Sequence, residues 1–277
     1  MSLMLKLLAT IALLSSFAEA SFSADAVKKF IEHKFKNNSQ IKSITVSIEE
    51  TVALDDPEGW EAHIINLNAV LKKDNRKVNQ KMTWFSDGDF VTQELVNMKT
   101  GKNLADLIAP KFKNEYYDDS FLIYGNKNSK HKVVIFSDPL CPFCKKSVPP
   151  ALEFMKKDPK MFAVYYYHFP LPSLHPSSVE LTKAAIALEL RGKAKDIVLN
   201  LYKVKVGAKE RNVEKILKAF NKELGTDIKV KDLDSPKVRK HMKSDALIAS
   251  DIMVQGTPTI FFDGELDKTK RKFKKVK

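Results

Sequence analysis

An apolar run of β-branched and aromatic residues, Val133-Val134-Ile135-Phe136, leads through Ser137-Asp138-Pro139-Leu140 directly into Cys141-Pro142-Phe143-Cys144. No other stretch constrains the fold as much. A short continuous apolar run predicts a strand buried on both faces of a sheet. Beyond the cysteines, Val148, Leu152 and Met155 fall on one face at helical spacing, so the chain passes from buried strand to helix across a tight turn. Cys141 then sits at the helix N-terminus, where unpaired N–H groups and the macrodipole favour negative charge on sulfur. Pro142 suits the first helical turn, since the N–H it lacks would be unsatisfied there anyway. Cys144 follows one turn on, within reach of Cys141.

These two are the only cysteines among 277 residues. A pair this close cannot staple a fold, because the loop it closes restrains little chain entropy. A zinc site would need two more ligands, and the six His residues show neither H-x-x-x-H spacing nor a second cysteine pair nearby. Disulfide exchange needs a thiolate attacker and a second thiol to resolve the mixed disulfide, and strand–C-x-x-C–helix supplies both. Redox work is therefore the expectation, with no metal and no cofactor beyond the Cys141–Cys144 pair itself.

The rest of the chain reads as two domains behind a leader. Residues 1–20 carry Lys6, an apolar core from Leu7 to Leu14, and Ala18-Glu19-Ala20 as a small-x-small cleavage site, the pattern of a signal peptide. Residues 21–100 predict a small α+β unit. Val27, Phe30, Ile31 and Phe35 follow helical spacing, with Ser23 as a candidate N-cap. Four antiparallel strands follow. Ile44, Val46, Ile48, Val52 and Leu54 mark the first, and a second starts at Trp60 with a parity shift at Ile64–Ile65 that signals a bulge. The last two lie near Val78–Phe85 and Phe90–Met98. Such a sheet leaves an edge or a face uncovered, so a homodimer through residues 21–100 is expected. Residues 101–120 predict a linker with a short helix near Leu104, Leu107 and Ile108. Residues 121–277 form the second domain, α/β in character, with Phe162–Phe169 as its second buried strand. A helical insertion spans about 176–240, and Gln255-Gly256-Thr257-Pro258 precedes a last buried strand.

These features together resemble the thioredoxin superfamily, and within it the DsbC/DsbG branch of bacterial periplasmic disulfide isomerases. The resemblance rests on Phe136-Ser137-Asp138 before Cys141-Pro142-Phe143-Cys144-Lys145-Lys146, on Pro149 in the following helix, and on Thr257-Pro258. It implies a thioredoxin fold over 121–277, a cis proline at Pro258 facing the cysteines, and periplasmic thiol–disulfide exchange on exported proteins that contain cysteine. The N-terminal unit is similar to that branch's dimerisation domain in layout. A membrane redox partner is implied as well. Within the resemblance, isomerase and dithiol oxidase both stay open, and a non-catalytic holdase is a third reading. Phe143 stands where His or Tyr often stands, so thiolate stabilisation rests on backbone N–H groups, and Pro142 and Phe143 tune the pair. The thiol of Cys141 is expected below 8.5, though less depressed than in the Pro-His type. Ile135 occupies the place where oxidase relatives carry a buried Glu. Asp138 is expected as a turn residue, and His168 and His175 as turn or capping residues, ahead of any proton-relay role.

Net charge is +13. The basic residues are scattered without the aromatic interleaving of a nucleic-acid site, so no nucleic-acid partner is expected. The one dense run is Lys268–Lys277, seven basic residues in ten, which reads as a solvated terminal helix.

Overall fold

The computed structural model describes residues 24–192 and 196–276. The leader expected over residues 1–20 and the Ser23 cap lie outside the described residues. The chain divides after Pro110 into two compact units.

The first unit opens with helix α1 (residues 24–36). Strands β1 (Ile41–Ala53), β2 (Glu61–Leu71), β3 (Lys77–Ser86) and β4 (Val91–Thr92) follow as an antiparallel sheet in that order. Val27 and Ile31 of α1 pack into one cluster with Val46, Ile65, Leu67, Ala69 and Trp84 of the sheet. Phe30, at the rim of the α1 stripe, is exposed and meets Trp84 edge-on. The bulge lies on β1: Ile48 pairs with Ile65 and Glu50 with Ile64, leaving Glu49 as the extra residue. That kink lets both Ile64 and Ile65 be buried despite their opposite parity.

Two expectations for this unit need correction. Phe90–Met98 is not one strand. β4 stops at Thr92, and β5 (Val96–Asn97) pairs with β6 (Lys102–Asn103) as a separate ribbon. The Thr92 hydroxyl bonds both the carbonyl and the N–H of Glu94, a local side-chain–backbone turn that competes with the ladder. The linker helix is a single 3-10 turn, Leu104–Leu107, capped by Asn103. Past Pro110 the chain no longer connects anything: Phe112 is 4 % exposed, its ring against Phe136, Tyr167 and Phe261 of the second unit's own sheet.

The second unit holds strands β7 (Leu122–Tyr124), β8 (His131–Ser137), β9 (Phe162–His168), β10 (Thr259–Phe262) and β11 (Glu265–Leu266), in the order β11-β10-β8-β9-β7. β8 and β9 are parallel, and β10 and β7 run antiparallel to them. β7 and β11 carry too short an apolar run to announce themselves in the sequence. Helix α2 (Pro142–Lys156) makes the crossover between β8 and β9. Side chains of β8 alternate as a doubly covered strand requires. Val133 and Ile135 join Val148, Leu152 and Met155 of α2; Phe136 stacks on Tyr167 on the opposite face. The insertion between β9 and β10 is longer than 176–240. It comprises α3 (Pro176–Glu189), α4 (Ile197–Leu201), α5 (Val213–Leu224), α6 (Val230–Leu233) and α7 (Pro236–Asp251). Gly125, just past β7, holds φ at +75°, and a Cβ placed there would lie 2.0 Å from the Phe162 carbonyl oxygen.

The basic run is not a terminal helix. Asp267, 1 % exposed, accepts bonds from the N–H and hydroxyl of Thr269 and from the Lys272 N–H. A 3-10 turn over Lys272–Lys274 follows, and Phe273 is buried in the α2 cluster. One apolar residue and one buried cap turn a solvated stretch into a fixed hook.

Candidate active site

The junction between β8 and α2 is held by one carboxylate. Asp138, fully buried, accepts from the Leu140 N–H (2.7 Å) and the Cys141 N–H (3.2 Å) through Oδ1. Its Oδ2 accepts from the Leu171 N–H (2.8 Å) and lies 3.1 Å from Nδ1 of His175. A buried carboxylate needs this many partners to remain there. Asp138 thus ties the turn before Cys141 to the segment between β9 and α3. It serves as a turn residue as expected, and as a cross-brace besides. His175 occupies the N-cap position of α3, but its ring bonds Asp138 and does not cap the helix.

Cys141 is the N-cap of α2, with Pro142 in the first turn and Lys145 N–H bonded to the Cys141 carbonyl. Its thiol donates to the carbonyl oxygen of Thr257 at 3.7 Å, and the Thr257–Pro258 bond is cis. The two segments, 116 residues apart in sequence, therefore meet at the reactive sulfur. Cys144 has no exposed surface, and burial pushes its thiol up to about 11, with the Ser137 hydroxyl acting the opposite way. Phe143 points outward, 74 % exposed. Pro149 and Pro150 both lie inside α2.

Behind Cys144 lies a chain of hydroxyls that sequence reasoning missed. Tyr202 donates to Ser137 Oγ at 2.7 Å, and the hydroxyls of Tyr166 and Tyr202 are 2.8 Å apart. Burial holds both phenols well above their ordinary range, so they stay neutral donors. Ile135, at the position of the missing acid, is fully buried in the α2 cluster. No local pattern announced Tyr202, which follows α4 in the insertion and reaches Ser137 only in the fold.

His168 stands apart from the sulfurs. Its Nε2 lies 3.2 Å from Glu189, and its backbone N–H donates to Asp245. Burial drives the Asp245 carboxyl well above the usual carboxylate range. No group of three or more His, Cys, Asp or Glu able to hold a metal occurs among the described residues.

Residues 118–277, more than half of the chain, match the family model described as Thioredoxin. The comparison with curated proteins gives no match. Among solved structures, the chain is similar to the thiol-disulfide exchange protein alpha-DsbA2 from Wolbachia pipientis, at 23% identity, covering 59% of this chain and 89% of that one with a TM-score of 0.48. It is also similar to a thioredoxin-like oxidoreductase from Silicibacter pomeroyi (23% identity, 55% and 84% covered, TM-score 0.44). A periplasmic thioredoxin-like protein from Salmonella enterica serovar Typhimurium gives 26% identity, 56% and 87% coverage, and a TM-score of 0.43.

Proposed function

Because the chain belongs to the thioredoxin family, we propose that it is a thiol–disulfide oxidoreductase acting on exported, cysteine-containing proteins in the periplasm. The observation that carries this reading is the Cys141 thiol at the α2 N-terminus, aimed at the carbonyl before cis Pro258, with Cys144 one turn behind. The Cys141 thiolate attacks one sulfur of a client disulfide, and a new S–S bond forms as the client's bond breaks. The departing client thiolate takes up a proton. A second client thiol then displaces Cys141, which reshuffles the disulfide. If none does, Cys144 attacks the Cys141 sulfur and frees the client as a dithiol, leaving Cys141–Cys144 oxidised by two electrons.

Isomerisation in the manner of the DsbC/DsbG branch is the finer reading, with a membrane partner keeping the pair reduced. Its support is Thr257-Pro258, one of the features on which the resemblance to that branch rests. Refolding of scrambled ribonuclease, run beside a measurement of the reduction potential, tests it. We expect recovery of native ribonuclease, abolished by Cys141→Ser. Efficient oxidation of dithiols with no recovery would make the protein a dithiol oxidase. Rescue of clients that survives Cys141→Ser intact would make it a holdase and overturn the enzyme reading.

A homodimer through residues 21–100 belongs to the same reading. Phe90, Val96 and Met98 are 71 %, 50 % and 96 % exposed, and β1, 13 residues long, is an edge of its sheet. Long edges and apolar patches of this kind are commonly covered by a partner copy. Light scattering that gives a monomer at micromolar concentration would remove it.

A further inference from the structure

A groove of about 570 Å³ opens beside Phe143, Thr257 and Pro258. Its apolar wall is Phe143, Pro150, Pro258 and Phe273, and Thr257 brings it to the carbonyl that faces Cys141. Lys146, Lys270, Arg271 and Lys274 also line it, all four exposed, and no carboxylate does. None of the four makes an ion pair among the described residues.

The single sign does not simply follow from a net charge of +13. Two grooves elsewhere on the molecule mix both signs. Lys111, Lys130 and Lys132 share one with Asp263 and Glu265, and Lys237 and Lys240 share another with Glu115 and Asp118. Nor is the backbone that carries the cations loosely placed. Three of them lie on the hook, which Asp267 and Phe273 fix from either side, and Lys270 holds a left-handed φ of 57° within it. A low-dielectric wall rimmed by one sign of charge concentrates the opposite charge and raises encounter rates by about 10–10³-fold. Cations lining a groove that reaches Thr257, whose carbonyl faces the attacking sulfur, can therefore select clients by the residues that flank their cysteines.

We infer that Lys146, Lys270, Arg271 and Lys274 make this groove a subsite for acidic peptide segments, so that cysteines flanked by Asp or Glu are preferred clients. The inference rests on the disulfide-exchange reading and names its substrate class. Its test uses the full chain and three peptides, each with one cysteine as a mixed disulfide with glutathione. The flanking residues are Asp/Glu, Ser/Gly or Lys/Arg, and the second-order rate constant for reaction with the pre-reduced Cys141–Cys144 pair is measured at low and at high salt.

The acidic peptide should exceed the basic one by about tenfold or more at low salt, and the ratio should collapse as salt screens exposed charges. Lys270→Glu/Arg271→Glu/Lys274→Glu should invert the order. Because the readout is a ratio taken within one protein, general loss of activity in that variant does not imitate the result. The salt series on the unaltered chain makes the same test without substitution. If the neutral peptide does not react, the exchange reading itself fails. If it does, and the acidic and basic peptides react equally at low salt, the subsite is refuted while exchange stands. Equal peptide rates together with retention on phosphatidylglycerol vesicles, lost in the triple variant, would assign the cations to a lipid surface and overturn the proposal.

Discussion

Cys144 carries the sharpest kinetic consequence at the scale of single residues. With its thiol pushed up to about 11 by burial, only a small fraction is thiolate near neutrality. The rate at which it resolves a mixed disulfide on Cys141 should therefore climb about tenfold per pH unit from 7 to 9, following the thiolate fraction. Acid-quenched single-turnover reactions measure this directly, and a flat profile would contradict it. The Ser137 hydroxyl favours the Cys144 thiolate and is itself oriented by Tyr202. Tyr202→Phe should slow resolution severalfold while the first attack by Cys141 keeps its rate; an equal slowing of both steps would mean the hydroxyl chain merely packs. The cysteine pair, Pro142 and Thr257-Pro258 were legible in the sequence because their chemistry is tied to short spacing or to a strand boundary. Tyr202 was not. Its partner lies 65 residues away, and nothing local marks a tyrosine whose hydroxyl matters.

Among the elements, the segment just after Pro110 separates two kinds of sequence legibility. Periodicity marks α1 and α2 because each buries one stripe, and a continuous apolar run marks β8 and β9; α3 is buried nearly all round. Periodicity could not tell that an isolated Phe112 among polar neighbours enters a core built from β8, β9 and β10. Phe112→Ala should cost the second unit about 3–5 kcal/mol in chemical unfolding, as a buried aromatic does. A residue in a mere connector would change stability by about 0.5 kcal/mol or less. The hook at Lys268–Lys274 escapes the sequence pattern for the same reason. Charge dominates its composition, while Asp267, Thr269 and Phe273 anchor its conformation.

For the molecule as a whole, both tryptophans, Trp60 and Trp84, lie in the first unit, so their fluorescence follows that unit's unfolding separately. His63 is fully buried on β2, hydrogen-bonded to Thr51, with Glu61 3.8 Å away; burial lowers it to about 4. A folded-state value below the ordinary 6.5 means that its stabilising contribution is complete above 6.5. That contribution is lost as pH falls from there toward 4. The urea midpoint reported by tryptophan should drop between pH 6.5 and 5, before most carboxylates titrate, and His63→Gln should flatten the drop. An unchanged slope in the variant would place the titrating group elsewhere. The second unit depends on a still smaller margin. At Gly125, one hydrogen in place of a methyl group lets β7 close the side of the sheet beside β9. Any L side chain there must push the backbone off the Phe162 carbonyl and β7 away with it. What is then uncovered is a fully buried, aromatic-rich strand with open N–H and C=O groups, the template on which misassembled aggregates grow. Gly125→Ala should accordingly emerge as a solubility defect, with the chain collecting in the insoluble fraction on expression while the cysteine pair remains chemically intact.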